Sequence, residues 1–145
     1  MHRVIRQALP GDLESLYRLD PLAASDAGRR ALIETAVGSS ECWVALGSHD
    51  ASAPVGYGCL NRGFFGQWFI SLVMVSGAHR RSGVGRQIVA HLERITGAEK
   101  IFTSTNASNG PMRQLLAQSG FQASGVVENL DPGDPELIFV KFLSR

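Results

Sequence analysis

The spacing of apolar positions changes several times along the chain, and each change marks an element. Val4-Ile5 is a short apolar pair that reads as a first strand. Leu9-Pro10-Gly11-Asp12 is a turn whose last residue suits a helix N-cap. Leu13, Leu16 and Leu19 then recur at helical spacing with Tyr17 beside them, until Asp20-Pro21 interrupts. Ser25 suits the cap of a second helix, with Leu32, Ile33, Ala36 and Val37 on one face and Gly38 just past its end. Residues 42–46 and 55–60 read as strands joined by a polar loop over 47–54. Residues 65–75 form the strongest strand, apolar on both faces near its end as a central strand requires. A helix follows with Val84, Ile88, Val89, Leu92 and Ile95 as its buried stripe and Gly97 as its stop. Residues 101–104 are another strand and 106–110 a polar loop. Pro111 opens a helix that carries Met112, Leu115 and Leu116 and stops at Gly120. Two strands, 121–127 and 137–143, pair antiparallel across the loop 131–135. The order is β-α-α-β-β-β-α-β-α-β-β, a mixed α+β sheet rather than a regular βαβ array.

Composition narrows the picture mainly by exclusion. At 145 residues the chain is expected to be one domain, 1–145, with a full core. Fourteen Lys and Arg against thirteen Asp and Glu give +1, so global charge does not argue for nucleic acid. Cys42 and Cys59 lack a CxxC spacing and sit in apolar surroundings, which suits reduced core residues. The start lacks the long apolar segment of a signal peptide. The longest apolar stretch, 68–75, is too short to span a bilayer. The expected location is therefore the cytoplasm, with no membrane partner. No Cys/His cluster has ligand spacing, so no metal is expected.

The segment between the central strand and the next helix carries the chemistry. It reads Arg80-Arg81-Ser82-Gly83-Val84-Gly85-Arg86. Glycines let backbone N–H groups approach a ligand closely. The first N–H groups of a helix lack intrahelical partners, and the helix dipole there favours negative charge. Arginines on the same turn add donors suited to phosphate oxygens. Strand, basic glycine turn and helix together make a pyrophosphate cradle. The turn lacks the Lys-Ser/Thr of a P-loop, and residue 88 is Ile where a GxGxxG would need Gly.

These residues, in this order, resemble the GNAT superfamily of N-acetyltransferases. Arg80-Arg81-Ser82-Gly83-Val84-Gly85 matches the family's coenzyme-A motif, and Leu72-Val73-Met74-Val75 matches the strand before it. Asn109, then Leu115-Leu116, then Gly120-Phe121 matches a downstream segment, and Ile5-Arg6-Gln7-Ala8 with Asp12 and Leu16 is similar to the family's opening. The resemblance implies a mixed, mostly antiparallel central sheet, splayed at the cofactor strand and flanked by four helices. It implies acetyl-CoA as co-substrate, with N–H groups of Arg81, Ser82, Gly83, Val84, Gly85 and Arg86 on the pyrophosphate and Arg80 beside them. It implies that backbone exposed around Val73, Met74 and Val75 pairs with the pantetheine and stabilises the oxyanion near Met74. Asn109 would hydrogen-bond the pantetheine arm, and Met112 and Leu116 would line its thiol end.

The implied activity is acetyl transfer to a primary amine, either a small amine or a peptide or protein amine, by direct attack in a ternary complex. Two usual catalytic side chains are absent. Leu116 stands where many members carry a Tyr acid, and the central strand has no carboxylate between Phe64 and Val75. Their absence motivates an alternative: a catalytically degenerate CoA-binding regulatory module. The acidic run Glu128, Asp131, Asp134, Glu136 reads either as an exposed hairpin or as a rim that attracts a cationic acceptor. On the second reading Glu128 is the candidate base. Tyr57 is a substitute for the missing acid or a packing residue. His91 is expected on an exposed helix face, and His79 beside the turn is either a base or, as the resemblance implies, a solvent-facing residue. Trp43, Trp68, Phe64 and Phe65 are expected in the core or acceptor wall rather than as a nucleobase platform. A homodimer through the last strands is compatible with the pattern.

Overall fold

The computed structural model describes residues 3–48 and 52–144; the middle of the expected 47–54 loop falls outside them. The order is β1 (Ile5–Gln7), α1 (Leu13–Leu19), α2 (Pro21–Ser25), α3 (Ala27–Gly38), β2 (Cys42–Leu46), β3 (Pro54–Phe64), β4 (Gln67–Val75), α4 (Val84–Thr96), β5 (Lys100–Asn106), α5 (Gly110–Gln118), β6 (Gln122–Asp131) and β7 (Asp134–Phe142). The seven strands form one open sheet in the order β1-β2-β3-β4-β5-β7-β6. Neighbours are antiparallel except β4 and β5, which run parallel. The four expected helices are α1, α3, α4 and α5, and α2 is an additional five-residue segment.

Helix starts depend on local carboxylates, and two differ from expectation. Ser25 is consumed as the last residue of α2, so the cap of α3 is Asp26, which accepts from the N–H groups of Gly28 (2.8 Å) and Arg29 (3.4 Å). Asp12 precedes α1 but caps no N–H of it. Its carboxylate instead pairs with Arg6 (2.8 and 3.0 Å) and accepts from Leu9 N–H (2.7 Å). The hydrogen bond to Arg6 holds the Asp12 carboxyl below the usual range.

Hydrophobic cores form on both faces of the sheet. One, under α1 to α3, contains Leu16, Ile33, Tyr57 and the facing thiols of Cys42 and Cys59, which are unbridged. The other, under α4 and α5, contains Ile70, Ile88, Leu92, Ile101 and Leu116. Ile95, expected in the buried stripe, is 40% exposed. Two glycines of β3 set how closely α4 approaches. A Cβ on Gly58 would lie 2.6 Å from Ile88 Cγ2, and one on Gly56 would lie 3.1 Å from Ile88 Cδ1. Gly85 answers from the helix side, because a Cβ there would collide with Leu115 Cδ1 of α5.

Strand limits shift at the turns. The strand expected over 65–75 begins only at Gln67, because Phe65 (φ 53°) and Gly66 (φ 77°) are the two central residues of a tight hairpin turn between β3 and β4. Positive φ at both positions matches the twist of the flanking strands. Arg62 braces the turn by donating from Nε (3.1 Å) and Nη2 (3.0 Å) to Gly66 O. The expected loop 131–135 shrinks to Pro132-Gly133, with Gly133 at φ 72°.

Candidate active site

The sheet opens into a wedge between β4 and β5. Only Phe69–Phe102 and Ile70–Thr103 are paired, and residues 72–75 have no partner on β5. Two features sit at the apex. Ser71 is an extra residue in β4, because Cys59 pairs with Leu72 while Leu60 pairs with Ile70. Such a bulge bends the strand. Thr103 Oγ1 donates to Ile70 O (2.8 Å), tying the strands at their last paired position.

Alternation decides which backbone groups face the wedge. Ser76 N–H donates to Val55 O (2.9 Å), so positions 55 and 76 form a hydrogen-bonded pair across β3 and the strand beyond β4. In an antiparallel ladder such pairs alternate. Met74 and Leu72, opposite Tyr57 and Cys59, therefore turn their N–H and C=O toward β3. Val73 and Val75 turn theirs into the wedge. The sequence-based expectation centred the exposed backbone on Val73, Met74 and Val75; the register turns only Val73 and Val75 into the wedge, because Met74 is committed to the ladder. The side chains of Val73 and Val75 pack on the α4 side, while Leu72 and Met74 pack on the α1–α3 side.

At the C-terminal end of β4 the chain makes the basic turn. Arg81 (φ 64°) and Gly83 (φ 85°) both adopt the left-handed conformation. A residue with a side chain in that region is uncommon and costs free energy. Gly83 is the N-cap of α4 and supplies no side-chain cap. Gln87 N–H is bonded to Gly83 O (3.0 Å), so the earlier N–H groups, on Val84, Gly85 and Arg86, precede the helical ladder. Ser82 Oγ donates to His79 O, and Ser76 Oγ lies 2.7 Å from His79 Nδ1. His79 is thus half-buried and engaged rather than simply solvent-facing. Arg80, Arg81 and Arg86 are exposed and form no ion pair among the described residues. Free guanidinium groups beside unpaired helix N–H groups form a site for phosphate oxygens.

The remaining expected site residues are distributed unevenly. Asn109 is the N-cap of α5, and its side chain accepts from Met112 N–H (3.2 Å), so its oxygen already has a structural task. Met112 is half-buried and packs on the α4–α5 core. Leu116 is 0% exposed and leaves no side-chain surface for a ligand, so the expected lining of a thiol end does not include it in this conformation. Glu128 lies on β6, the exposed edge strand, with β5 and β7 between it and β4. Val127 pairs with Glu136, and Glu128 falls just after it in the irregular stretch of β6 where the register with β7 shifts.

Tyr57 is fully buried and donates from its hydroxyl to Asp20, which also accepts from Arg29 (2.9 Å) and Leu22 N–H (3.1 Å). Burial, then the Asp20 hydrogen bond, pushes the Tyr57 phenol far up, so Tyr57 holds α1 and α2 to β3 and donates no proton at neutral pH. His91 departs from its expected exposed position: it is half-buried against Trp43 (ring centroids 5.1 Å apart), and burial, helped by Arg94, lowers its pKa. Trp43 and Trp68 line a cleft of about 280 Å³ with Ile95, at the far end of α4 from the cradle. Phe64, Phe69 and Phe102 cluster at the closed end of the wedge, with Phe64 stacked on Phe69 (5.2 Å). Phe65 is 88% exposed. Among the described residues no group of three or more His, Cys, Asp or Glu could hold a metal, and no helix is long and apolar enough to cross a membrane.

Comparison with known proteins agrees with this geometry. The family model for acetyltransferases of the GNAT family matches residues 11–121. No curated protein matches the chain. Among solved structures, a GNAT-family acetyltransferase from Bacillus cereus is 31% identical with a TM-score of 0.88, and the match covers 100% of both chains. The NatC complex bound to Gag peptide and CoA contains a chain that is 13% identical with a TM-score of 0.77, covering 99% of this chain and 100% of that one. A Bacillus anthracis structure in complex with acetyl coenzyme A is 16% identical with a TM-score of 0.62, over 71% of this chain and 62% of that one. The strand wedge, the basic glycine turn and these matches converge: the chain belongs to the GNAT acetyltransferase family.

Proposed function

We propose that this protein transfers the acetyl group of acetyl-CoA to a primary amine by direct attack within a ternary complex, on one catalytic domain spanning 1–145. The observation that carries the reading is the open backbone of Val73 and Val75, leading straight to the turn of Arg80 to Arg86. An extended pantetheine pairs with that edge as an added strand would. Its pyrophosphate then meets the N–H groups of Arg81 to Arg86 and the guanidinium groups of Arg80, Arg81 and Arg86. A wedge N–H next to the thioester carbonyl stabilises charge on its oxygen as the amine attacks. Holding the two reactants together supplies on the order of 7–11 kcal/mol in well-oriented systems. A thiolate whose conjugate acid has a pKa of roughly 8.5 departs without a strong acid, which suits a site with Leu116 in the Tyr position.

A second reading is favoured by two observations: Leu116 is buried, and β4 carries no carboxylate. On that reading the chain binds CoA and regulates rather than catalyses. Free-thiol release from acetyl-CoA across a panel of small amines and peptides with free N-termini or lysines separates the two. Amine-dependent release supports transfer. Saturable acetyl-CoA binding without thiol release on any acceptor supports the regulatory module.

A further inference from the structure

We propose that Glu136 is the carboxylate that receives the acceptor's ammonium group and takes its proton, an assignment that rests on the acetyl-transfer reading above. On β5, Ile101, Thr103 and Thr105 are buried, with Ile101 in the α4–α5 core, so Phe102, Ser104 and Asn106 project from the opposite face. Asn106 pairs with Glu136 of β7, and directly paired residues share a face. That is the face on which Leu72 and Met74 of β4 lie. Glu136 therefore stands on the acceptor side of the wedge, across from the strand whose open N–H groups face the thioester.

Its chemical state sets Glu136 apart from its neighbours. Asp131 accepts from Asn106 Nδ2 (2.8 Å), and Asp134 accepts from Ser108 N–H (3.0 Å) and Oγ (2.6 Å). Glu136 is half-buried and makes no hydrogen bond or ion pair with another described side chain. Glu128 is also unpaired, but it is exposed and lies in the irregular stretch of the edge strand β6, with β7 and β5 between it and the wedge. No Lys or Arg lies between 122 and 140 to neutralise this hairpin. Lys100 is on the same face but at the opposite end of β5, over the Phe102 ring (6.0 Å).

The acceptor arrives as R–NH3+, and Glu136 takes one proton, leaving R–NH2. The amine lone pair forms the C–N bond to the acetyl carbon, and the C–S bond breaks with its electrons on sulfur. The second proton lost from nitrogen ends on the departing thiolate, and Glu136 returns its own proton to solvent. The acceptor class that follows is an amine that is cationic at neutral pH.

The test uses the full chain, an alkylammonium acceptor found in the amine panel, and Glu136→Gln. Acetyl-CoA binding should match the wild type. The kcat/KM for the amine should fall on the order of 100-fold at pH 7. The deficit should shrink at pH 9.5, where more of the amine is already deprotonated, and Glu136→Asp should recover part of the rate at pH 7. A variant within twofold of wild type at pH 7, or a deficit constant with pH, overturns the assignment while leaving acetyl transfer intact. Absence of any wild-type turnover overturns acetyl transfer and this assignment with it.

Discussion

At the residue scale, a few side chains hold positions that composition does not reveal. The chain has two tyrosines, and both are tied to carboxylates. Desolvation and the hydrogen bond to Glu34 push Tyr17 up to about 12, and Tyr57 is pushed further in its buried bond to Asp20. The folded chain thus keeps phenol protons that the unfolded chain releases near pH 10. Stability must then fall as pH rises above about 10. An alkaline absorbance titration should show Tyr17 ionising near 12 and Tyr57 only as the chain unfolds; a phenol with a midpoint near 10 in the folded protein would refute the arrangement. Gly58 is a second such position. Gly58→Ala places a methyl 2.6 Å from Ile88 Cγ2 and 3.1 Å from Leu92 Cδ1, so α4 must shift. Chemical denaturation should show a loss of about 1–3 kcal/mol. An unchanged midpoint would mean that α4 does not rest on β3 as described.

At the element scale, β4 serves two neighbours. Its Leu72 and Met74 amides are committed to β3, and its Val73 and Val75 amides are open. Amide hydrogen exchange reads this directly. In the free protein Val73 and Val75 should exchange faster than Leu72 and Met74, and acetyl-CoA should protect the first pair selectively. Equal protection of all four before ligand is added would close the wedge. Much of this element was legible in sequence: the apolar run, the basic glycine turn and the amphipathic stripe from Val84 to Leu92 all stand where periodicity put them. Three things were hidden, each for a physical reason. The hairpin at Phe65-Gly66 was hidden because a bulky aromatic seldom adopts positive φ. The direction of the Val73 and Met74 amides was hidden because it follows from register with β3, and the Ser71 bulge alters that register. Glu136 was hidden because the sequence favoured Glu128 within a run of four acids, while the half-buried place of Glu136 opposite Asn106 follows only from strand pairing.

At the scale of the whole molecule, the two cores give the sheet different duties on its two faces. The α4–α5 side presents the helix N-terminus and the exposed arginines, the end of the wedge proposed for the cofactor. The α1–α3 side, continued by β5 and β7, presents Leu72, Met74 and Glu136, the face proposed for the acceptor. The cofactor half is built largely from backbone, which is why a short motif announces it. The acceptor half is built from side chains brought together by sheet order, which is why a linear reading reaches it only in outline. Isothermal titration with acetyl-CoA reads the proposed cofactor half without the acceptor. The wild type should bind saturably at one site per chain, and the Arg80→Ala/Arg81→Ala double variant should bind at least tenfold more weakly while remaining folded, since each charge-assisted contact contributes roughly 1.5–3 kcal/mol. Wild-type protein that gives no binding heat and no competition against CoA, or a double variant that binds as tightly as wild type, would contradict the account.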